Sequence, residues 1–310
     1  MINAPLVSVL MTAYNREKYI AAAIESVLSS SYANFELIIV DDCSGDTTVA
    51  IAREYEVKDS RIKLYVNEIN LGDYPNRNYA AGYAKGKYLK YLDSDDKLVP
   101  GGLEYCVECM EENAAADWAI YYPKQITIEF LLKPKEAIEW HFFKDPFLKA
   151  GPGGTIINKD FFFRIGMYPT AYGPASDMYF NLHAASQGNV LVLKDIFWFY
   201  RRHDGQEQSN QYSYLYNYNK YLKDALANLN LLLTASQVKW LHQKRKRRFA
   251  VNIIKFFLRT KNYSKTKEAI EKADYSMADF LSGLFHFSTM PATSSKLVSL
   301  AGTNIEVDKK

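Results

Sequence analysis

From Leu6 to about Tyr122, short runs rich in β-branched and apolar residues alternate with longer segments of helical period. A helix between successive strands makes them run the same way, so this pattern predicts βαβ units and a parallel sheet. The strands read as Val7-Ser8-Val9-Leu10-Met11, Leu37-Ile38-Ile39-Val40, Ile62-Lys63-Leu64-Tyr65-Val66, Tyr88-Leu89-Lys90-Tyr91-Leu92 and about Trp118 to Tyr122, with four helices in the gaps. Ser44-Gly45-Asp46 supplies turn and capping residues before a helix over Thr47 to Tyr55, and Pro75 and Pro100 stand where first helical turns would begin. The 310 residues, 48% hydrophobic, suffice for one large domain or a domain with an appendage.

Open parallel sheets bind ligands beyond the carboxyl ends of their strands. Those positions hold Thr12 to Asn15, Asp41 to Ser44, Asn67 to Arg77 and Asp93 to Asp96. Asp93-Ser94-Asp95-Asp96 places three carboxylates in four residues, and a fold that holds them together needs a cation to offset their repulsion. Hard oxygen ligands suit Mg2+ or Mn2+, which in turn bind substrate phosphates. When a nucleotide sugar reacts, the departing diphosphate accumulates negative charge, and a bound metal stabilises it. The competing reading of this segment is an acidic turn capping the helix from Pro100.

Several classes are disfavoured. The net charge of +3, from 38 basic against 35 acidic residues, is too even for a general nucleic-acid binder. Cys43, Cys106 and Cys109 include one Cys-Val-Glu-Cys pair in a helical segment and no second pair to complete a zinc site, which suits reduced thiols in the cytoplasm. No secretory signal is seen in the first 20 residues. No stretch approaches the roughly 18 to 20 apolar residues of a membrane span, which argues against a processive synthase with its own export channel. The first strand leads into Thr12-Ala13-Tyr14-Asn15 and not Gly-x-Gly-x-x-Gly, which argues against a dinucleotide-dependent oxidoreductase.

Pro5 to Asn15, then Val40-Asp41-Asp42-Cys43-Ser44, then Asn70-Leu71-Gly72 with Asn76-Arg77-Asn78, then Gly86-Lys87-Tyr88 leading to Leu92-Asp93-Ser94-Asp95-Asp96, follow one another in an order and spacing that resemble the inverting family 2 glycosyltransferases. The resemblance is strong from about Pro5 to Tyr122 and looser to about Asp204. It implies the GT-A fold, a Rossmann-like mixed α/β sheet flanked by helices. It also implies that Thr12 and Tyr14 line the base pocket, with the Tyr14 ring stacked on uracil or another base. Asp42 is then expected to accept from the base, Arg77 to reach the base or diphosphate, Asp95 to contact the ribose, and Asp96 to hold the metal with Asp95, while Asp93 supports both.

Inversion by single displacement needs a carboxylate to take the proton of the acceptor hydroxyl. Gly166-Met167-Tyr168-Pro169 followed by Ala175-Ser176-Asp177-Met178-Tyr179-Phe180 resembles the family segment that carries this base, making Asp177 the candidate. Many members have Glu-Asp where this chain has Ser176-Asp177, and a basic residue where it has His183. Asp177 as helix N-cap is a compatible alternative. Tyr200-Arg201-Arg202-His203 resembles a segment approaching the metal or diphosphate, so His203 is either a further metal ligand or structural. Trp140 and His141 lie where an acceptor pocket could form and receive no role.

The expected organisation is a transferase domain over 1–211, with a nucleotide-binding half to about 122 and an acceptor half from about 123, then a helical region over 212–310 whose last ten residues fray. In that region Lys244-Arg245-Lys246-Arg247-Arg248 precedes an apolar stretch from Phe249 to Leu258. It either lies on anionic lipid at the inner membrane face or forms a solvated face beside a buried one. The expected activity is metal-dependent transfer of a hexose or related sugar from a UDP-type nucleotide-sugar donor to a carbohydrate or lipid-linked acceptor in surface polysaccharide assembly. The alternative is a catalytically silent relative that holds nucleotide.

Overall fold

The protein is described by a computed structural model, which covers residues 4–203, 211–285 and 287–293. The last ten residues, expected to fray, lie outside the described residues. The first half alternates as the pattern predicts: β1 (Val7–Ala13), α1 (Ile20–Leu28), β2 (Phe35–Asp41), α2 (Thr48–Lys58), β3 (Ile62–Val66), α3 (Asp73–Gly82), β4 (Tyr88–Tyr91), β5 (Lys97–Leu98), α4 (Gly102–Glu112) and β6 (Trp118–Tyr121). The middle contributes β7 (Phe130–Leu132), α5 (Pro134–Phe143), β8 (Thr155–Asn158), α6 (Lys159–Arg164), α7 (Ser176–Gln187), β9 (Val190–Leu193) and β10 (Trp198–Phe199). The described chain then turns helical, with α8 (Gln211–Asn228), α9 (Ala235–Thr260), α10 (Tyr263–Lys272) and α11 (Met277–Phe285).

Eight strands form one sheet in the order β3-β2-β1-β4-β8-β6-β9-β7. The first four are mutually parallel, as helical crossovers require. The fifth expected strand, β6, does not lie beside β4, because β8 enters between them and pairs antiparallel with both. The sheet is therefore mixed, as the family resemblance implies. Neither face meets water along the central strands: Leu10, Ile38, Trp118 and Ile120 point into one apolar cluster, and Val9, Met11, Leu37, Ile39 and Ala119 into the other. That is why these strands read as near-continuous apolar runs and not as alternating ones.

Helices α1 and α4 cover the second face through Ile24, Val27, Leu103 and Met110. The other face is covered by α3, α5, α6 and α7, and also by Tyr221, Ala225 and Leu226 of α8 and Leu241 of α9. Phe249, Ala250 and Ile253 of α9 build a separate small cluster with Ala269 and Tyr275. Among the described residues no helix is long and apolar enough to cross a membrane.

The turn into β4 shows how closely this sheet is packed. A Cβ at Gly86 would stand 2.6 Å from the Ser8 nitrogen and 2.7 Å from the Leu6 carbonyl oxygen, both backbone atoms of β1 or its approach. Replacing Gly86 with Ala is expected to cost about 1–3 kcal/mol of unfolding free energy by urea titration. Gly45→Ala, whose Cβ would meet nothing within 4 Å, is expected to change it by about 0.5 kcal/mol or less.

Candidate active site

The loops beyond β1 and β2 are bonded into one unit. Asn15 adopts a positive φ of 53°, donates its N–H to Ser44 Oγ at 2.8 Å and accepts the Gly45 N–H on its side chain. Asp41 accepts both the N–H and the hydroxyl of Ser44, while Asp46 accepts the N–H and hydroxyl of Thr48 at the start of α2. Asp46 thus accepts the first N–H of α2 from one residue before its N-cap, Thr47, and Ser44 ties the two loops together. Thr12 stands at the end of β1 opposite Val40, and the Tyr14 ring is 46% exposed, open to a stacking partner.

Asp42 is buried and holds the loop after β3. Its carboxylate accepts the backbone N–H groups of Leu71 and Gly72 and the Asn67 side chain, each at 2.8 Å. These contacts leave one of its roughly four acceptor positions.

The acidic segment follows β4. Oxygen atoms of Asp93, Asp95 and Asp96 lie within 4.8 Å of one another, and each carboxylate has its own donor from a distant part of the chain. Arg77 is buried on α3 and bridges Asp73 at 2.8 Å and Asp93 at 2.6 Å. Arg16, from the loop after β1, reaches Asp95 at 3.0 Å. Asp96 is only 1% exposed and accepts the Arg201 backbone N–H at 3.0 Å. Burial, then the neighbouring Asp93, pushes its carboxyl up to about 8. His203 stacks on Tyr19 and places Nε2 2.9 Å from Asp95 Oδ2, beside the carboxylate cluster.

Beneath the cluster lies Lys90, fully buried at the centre of β4. Its ammonium donates to the Tyr91 carbonyl at 2.6 Å and the Gly153 carbonyl at 2.5 Å, and faces the Phe197 ring at 5.0 Å. Desolvation brings it down to about 8. This residue was missed in sequence. Its only signal was a lysine in the middle of an otherwise apolar strand.

A pocket of about 520 Å3 opens above these residues, lined at one end by Asp93 and Asp96 and elsewhere by Gly151 to Gly154, Asp177, Trp198, Tyr200, Tyr214 and Tyr218. The glycines matter here, since a Cβ on Gly154 would stand 2.8 Å from the Trp198 ring. Helix α7 begins at Ser176, so Asp177 sits in its first turn and is not the N-cap; its carboxylate accepts the Met178 N–H at 2.6 Å. Burial raises it to about 7, with the Met178 N–H opposing the rise.

Of the residues expected to form the site, Asp93, Asp96 and Asp177 line this one pocket. Arg77 is joined to its acidic end by a hydrogen bond to Asp93, Asp95 has an oxygen within 4.8 Å of those of Asp93 and Asp96, and His203 is bonded to Asp95. Thr12, Tyr14 and Asp42 stand on the neighbouring strand ends and do not line it. Trp140 and His141 are core residues: Trp140 stacks on Phe130 and His141 accepts the Leu148 N–H. The pocket's aromatic wall comes instead from Trp198, Tyr200, Tyr214 and Tyr218; of these only Tyr200 belongs to a segment that the residues marked, Tyr200 to His203, and its ring had no expected role.

The chain is 45% identical over 112 residues to the putative teichuronic acid biosynthesis glycosyltransferase TuaG of Bacillus subtilis, covering 36% of this chain and 44% of that protein. It is 44% identical over 108 residues to the UDP-Glc:alpha-D-GlcNAc-diphosphoundecaprenol beta-1,3-glucosyltransferase WfgD of Escherichia coli, covering 35% and 42%. These matches span under half the length of either relative. The crystal structure of S. aureus TarS 1-349 in complex with UDP-GlcNAc superimposes with a TM-score of 0.66 at 19% identity, over 89% of this chain and 81% of that one. The mannosyltransferase PcManGT from Pyrobaculum calidifontis in complex with GDP-Man and Mn2+ gives 0.58 at 14% identity, over 93% and 89%. At such identities the likeness speaks for the fold, which is GT-A. The family described as Glycosyl transferase family 2 matches residues 8–168, more than half of the chain, and the chain belongs to that family.

Proposed function

We propose that this protein is a metal-dependent inverting glycosyltransferase that moves a sugar from a UDP-type donor to a carbohydrate or lipid-linked acceptor in surface polysaccharide assembly. The observation that carries the reading is the convergence of Asp93, Asp95 and Asp96 at one end of the pocket that also holds Asp177. The names of WfgD, with its UDP-Glc donor and lipid diphosphate acceptor, and of TuaG support the donor and the pathway class. Residues 1–211 would form the transferase unit and 212–310 a helical unit against it. Action in the cytoplasm, at the inner membrane face, belongs to the same reading.

The three carboxylates fit Mn2+ or Mg2+, since they offer hard oxygen ligands within reach of one ion. Asp96 and Asp95 would hold the ion, with His203 at its margin and Asp93 oriented by Arg77. A bound divalent ion would supply charge stabilisation to the departing diphosphate. Tyr14 would stack on the base, Thr12 would border it, and Asp42 would offer its remaining acceptor position to a base N–H. Asp95 would also bind a ribose hydroxyl, and Arg77 would steady the diphosphate end through Asp93. Asp177 would take the proton from the acceptor hydroxyl as that oxygen attacks the anomeric carbon. Its raised affinity for protons makes it a stronger base than an ordinary carboxylate.

Calorimetric titration with UDP, GDP and dTDP, with and without Mn2+, tests the donor site. UDP is expected to bind only with Mn2+, and Asp96→Ala to weaken it at least about tenfold, which is about 1.4 kcal/mol; selective GDP or dTDP binding would reassign the donor. Because Asp96 holds its proton up to about 8, a metal must displace that proton, and Mn2+ affinity is expected to rise as pH climbs toward about 8 and then level. Asp177→Asn is expected to lower transfer about 10²–10⁴-fold while nucleotide binding persists. In the native chain transfer should rise with pH through about 7, as the basic carboxylate form fills. Unchanged transfer in Asp177→Asn would remove the base assignment, and nucleotide binding with no transfer under any condition would favour the silent alternative.

A further inference from the structure

Lys149 stands at the rim of the pocket and Lys244 and Arg248 on α9, all three exposed, and none has a part in the chemistry above. Lys149 lines the pocket with Asp177, Tyr214 and Tyr218. Lys244 and Arg248 lie four residues apart, on one face of α9. That helix packs on pocket-lining α8, with Arg245 donating to Asn219 at 2.7 Å. Trp240, one turn before Lys244, lies 5.6 Å from Phe143 at the end of α5 and carries the Lys244 ammonium over its ring at 4.7 Å, which sets this part of α9 beside the segment that leads to Lys149.

The three cations are close enough to repel one another. Both lysines are held below the ordinary lysine range, first by burial and next by Arg248. Among the described residues none of the three forms an ion pair. Asp145, the acid whose charge reaches Lys149, is itself paired with Lys124 at 2.8 Å and bonded by the Tyr122 hydroxyl. Three cations without an ion pair of their own, drawn together from two segments far apart in sequence, favour an anionic occupant. Two flexible ammoniums and a planar guanidinium suit the several oxygens of a phosphate or diphosphate. The same face of α9 continues from Lys244 to exposed Val251 and Leu258, two and four turns farther along, which offers an apolar track beyond the cations.

We propose that Lys149, Lys244 and Arg248 bind the diphosphate of a lipid-linked acceptor, holding its first sugar against Asp177 while its hydrocarbon chain follows α9 past Val251 and Leu258. This assignment rests on the transfer reading above and adds to it the acceptor's chemical class and the residues that select it. The site lies largely outside the region that matches the family, so it would distinguish this chain from relatives with other acceptors.

The test is a binding experiment in EDTA, where the acidic cluster has no metal with which to recruit a diphosphate. Geranyl diphosphate is expected to bind the native chain, geraniol at least tenfold more weakly, and the triple variant Lys149→Gln, Lys244→Gln, Arg248→Gln to lose at least tenfold in geranyl diphosphate affinity. Lys149→Arg with Lys244→Arg should keep it. UDP binding with Mn2+, measured separately, should be unchanged in the triple variant, which shows that it is folded. Equal geranyl diphosphate affinity in native and triple variant, no binding to the native chain, or geraniol binding as tightly as the diphosphate would each overturn the assignment. So would a loss confined to phosphatidylglycerol vesicles, which would make the cations a headgroup site. Failure of UDP with Mn2+ to bind the native chain would instead count against the donor site, leaving the EDTA result to stand by itself.

Discussion

Three carboxylates at the end of one strand repel one another, and much of the architecture around them offsets that repulsion. Asp93 is matched by Arg77 from α3, Asp95 by Arg16 from the loop after β1, and Asp96 by the backbone N–H of Arg201 from the segment after β10. Lys90 adds a buried positive charge underneath. Each partner is charged or a fixed N–H, so each contact is stronger than an ordinary hydrogen bond while leaving other carboxylate oxygens directed at one another. The remaining negative potential is what a divalent ion would complete. Asp96, raised by burial and by Asp93, is the most deeply buried of the three.

The same set of contacts closes the fold. Strand β10 pairs with β5, so the chain returns about a hundred residues later to the acidic segment it left. Trp198 on that strand packs over Gly153 and Gly154, whose missing side chains let the indole approach. Lys90 ties the Gly153 carbonyl to β4 from below. The floor of the pocket, its acidic end and the strap carrying Tyr200 and His203 are consequently one packed unit, and α8 completes the wall with Tyr214 and Tyr218. A change in Lys90 or the glycines would be felt at the carboxylates through these shared contacts and not through any single bond.

The first half of the fold was legible because its signals are local. Strands buried on both faces must be apolar nearly throughout, and the crossover helices between them leave a second period, so β1 to β4 and β6 fall where the residues alone put them. The insertion of β8 between β4 and β6 was not legible, since strand order is decided by which edges meet and not by composition. Which residue of Ser44-Gly45-Asp46 would meet α2 was not legible for a similar reason: Ser44 is taken up by Asn15 and Asp41, and Asp46 accepts the Thr48 N–H. Asp177 entered the first turn of α7 instead of capping it, because the helix starts one residue earlier, at Ser176.

What the sequence by itself determined was the order of the parallel units, the family, and the polar clusters at the strand ends, because an alternating pattern and a run of acids are properties of neighbouring residues. Only the tertiary structure decided which donors quiet which carboxylate, that Asp177 shares a pocket with Asp93 and Asp96, and that Lys149 and tyrosines from α8 face the same space. These groupings join segments separated by tens to more than a hundred residues, and they are set by burial of apolar faces on the sheet. Trp140 and Trp198 look alike along the chain. One became core and the other a pocket wall because of where β10 found its partner strand.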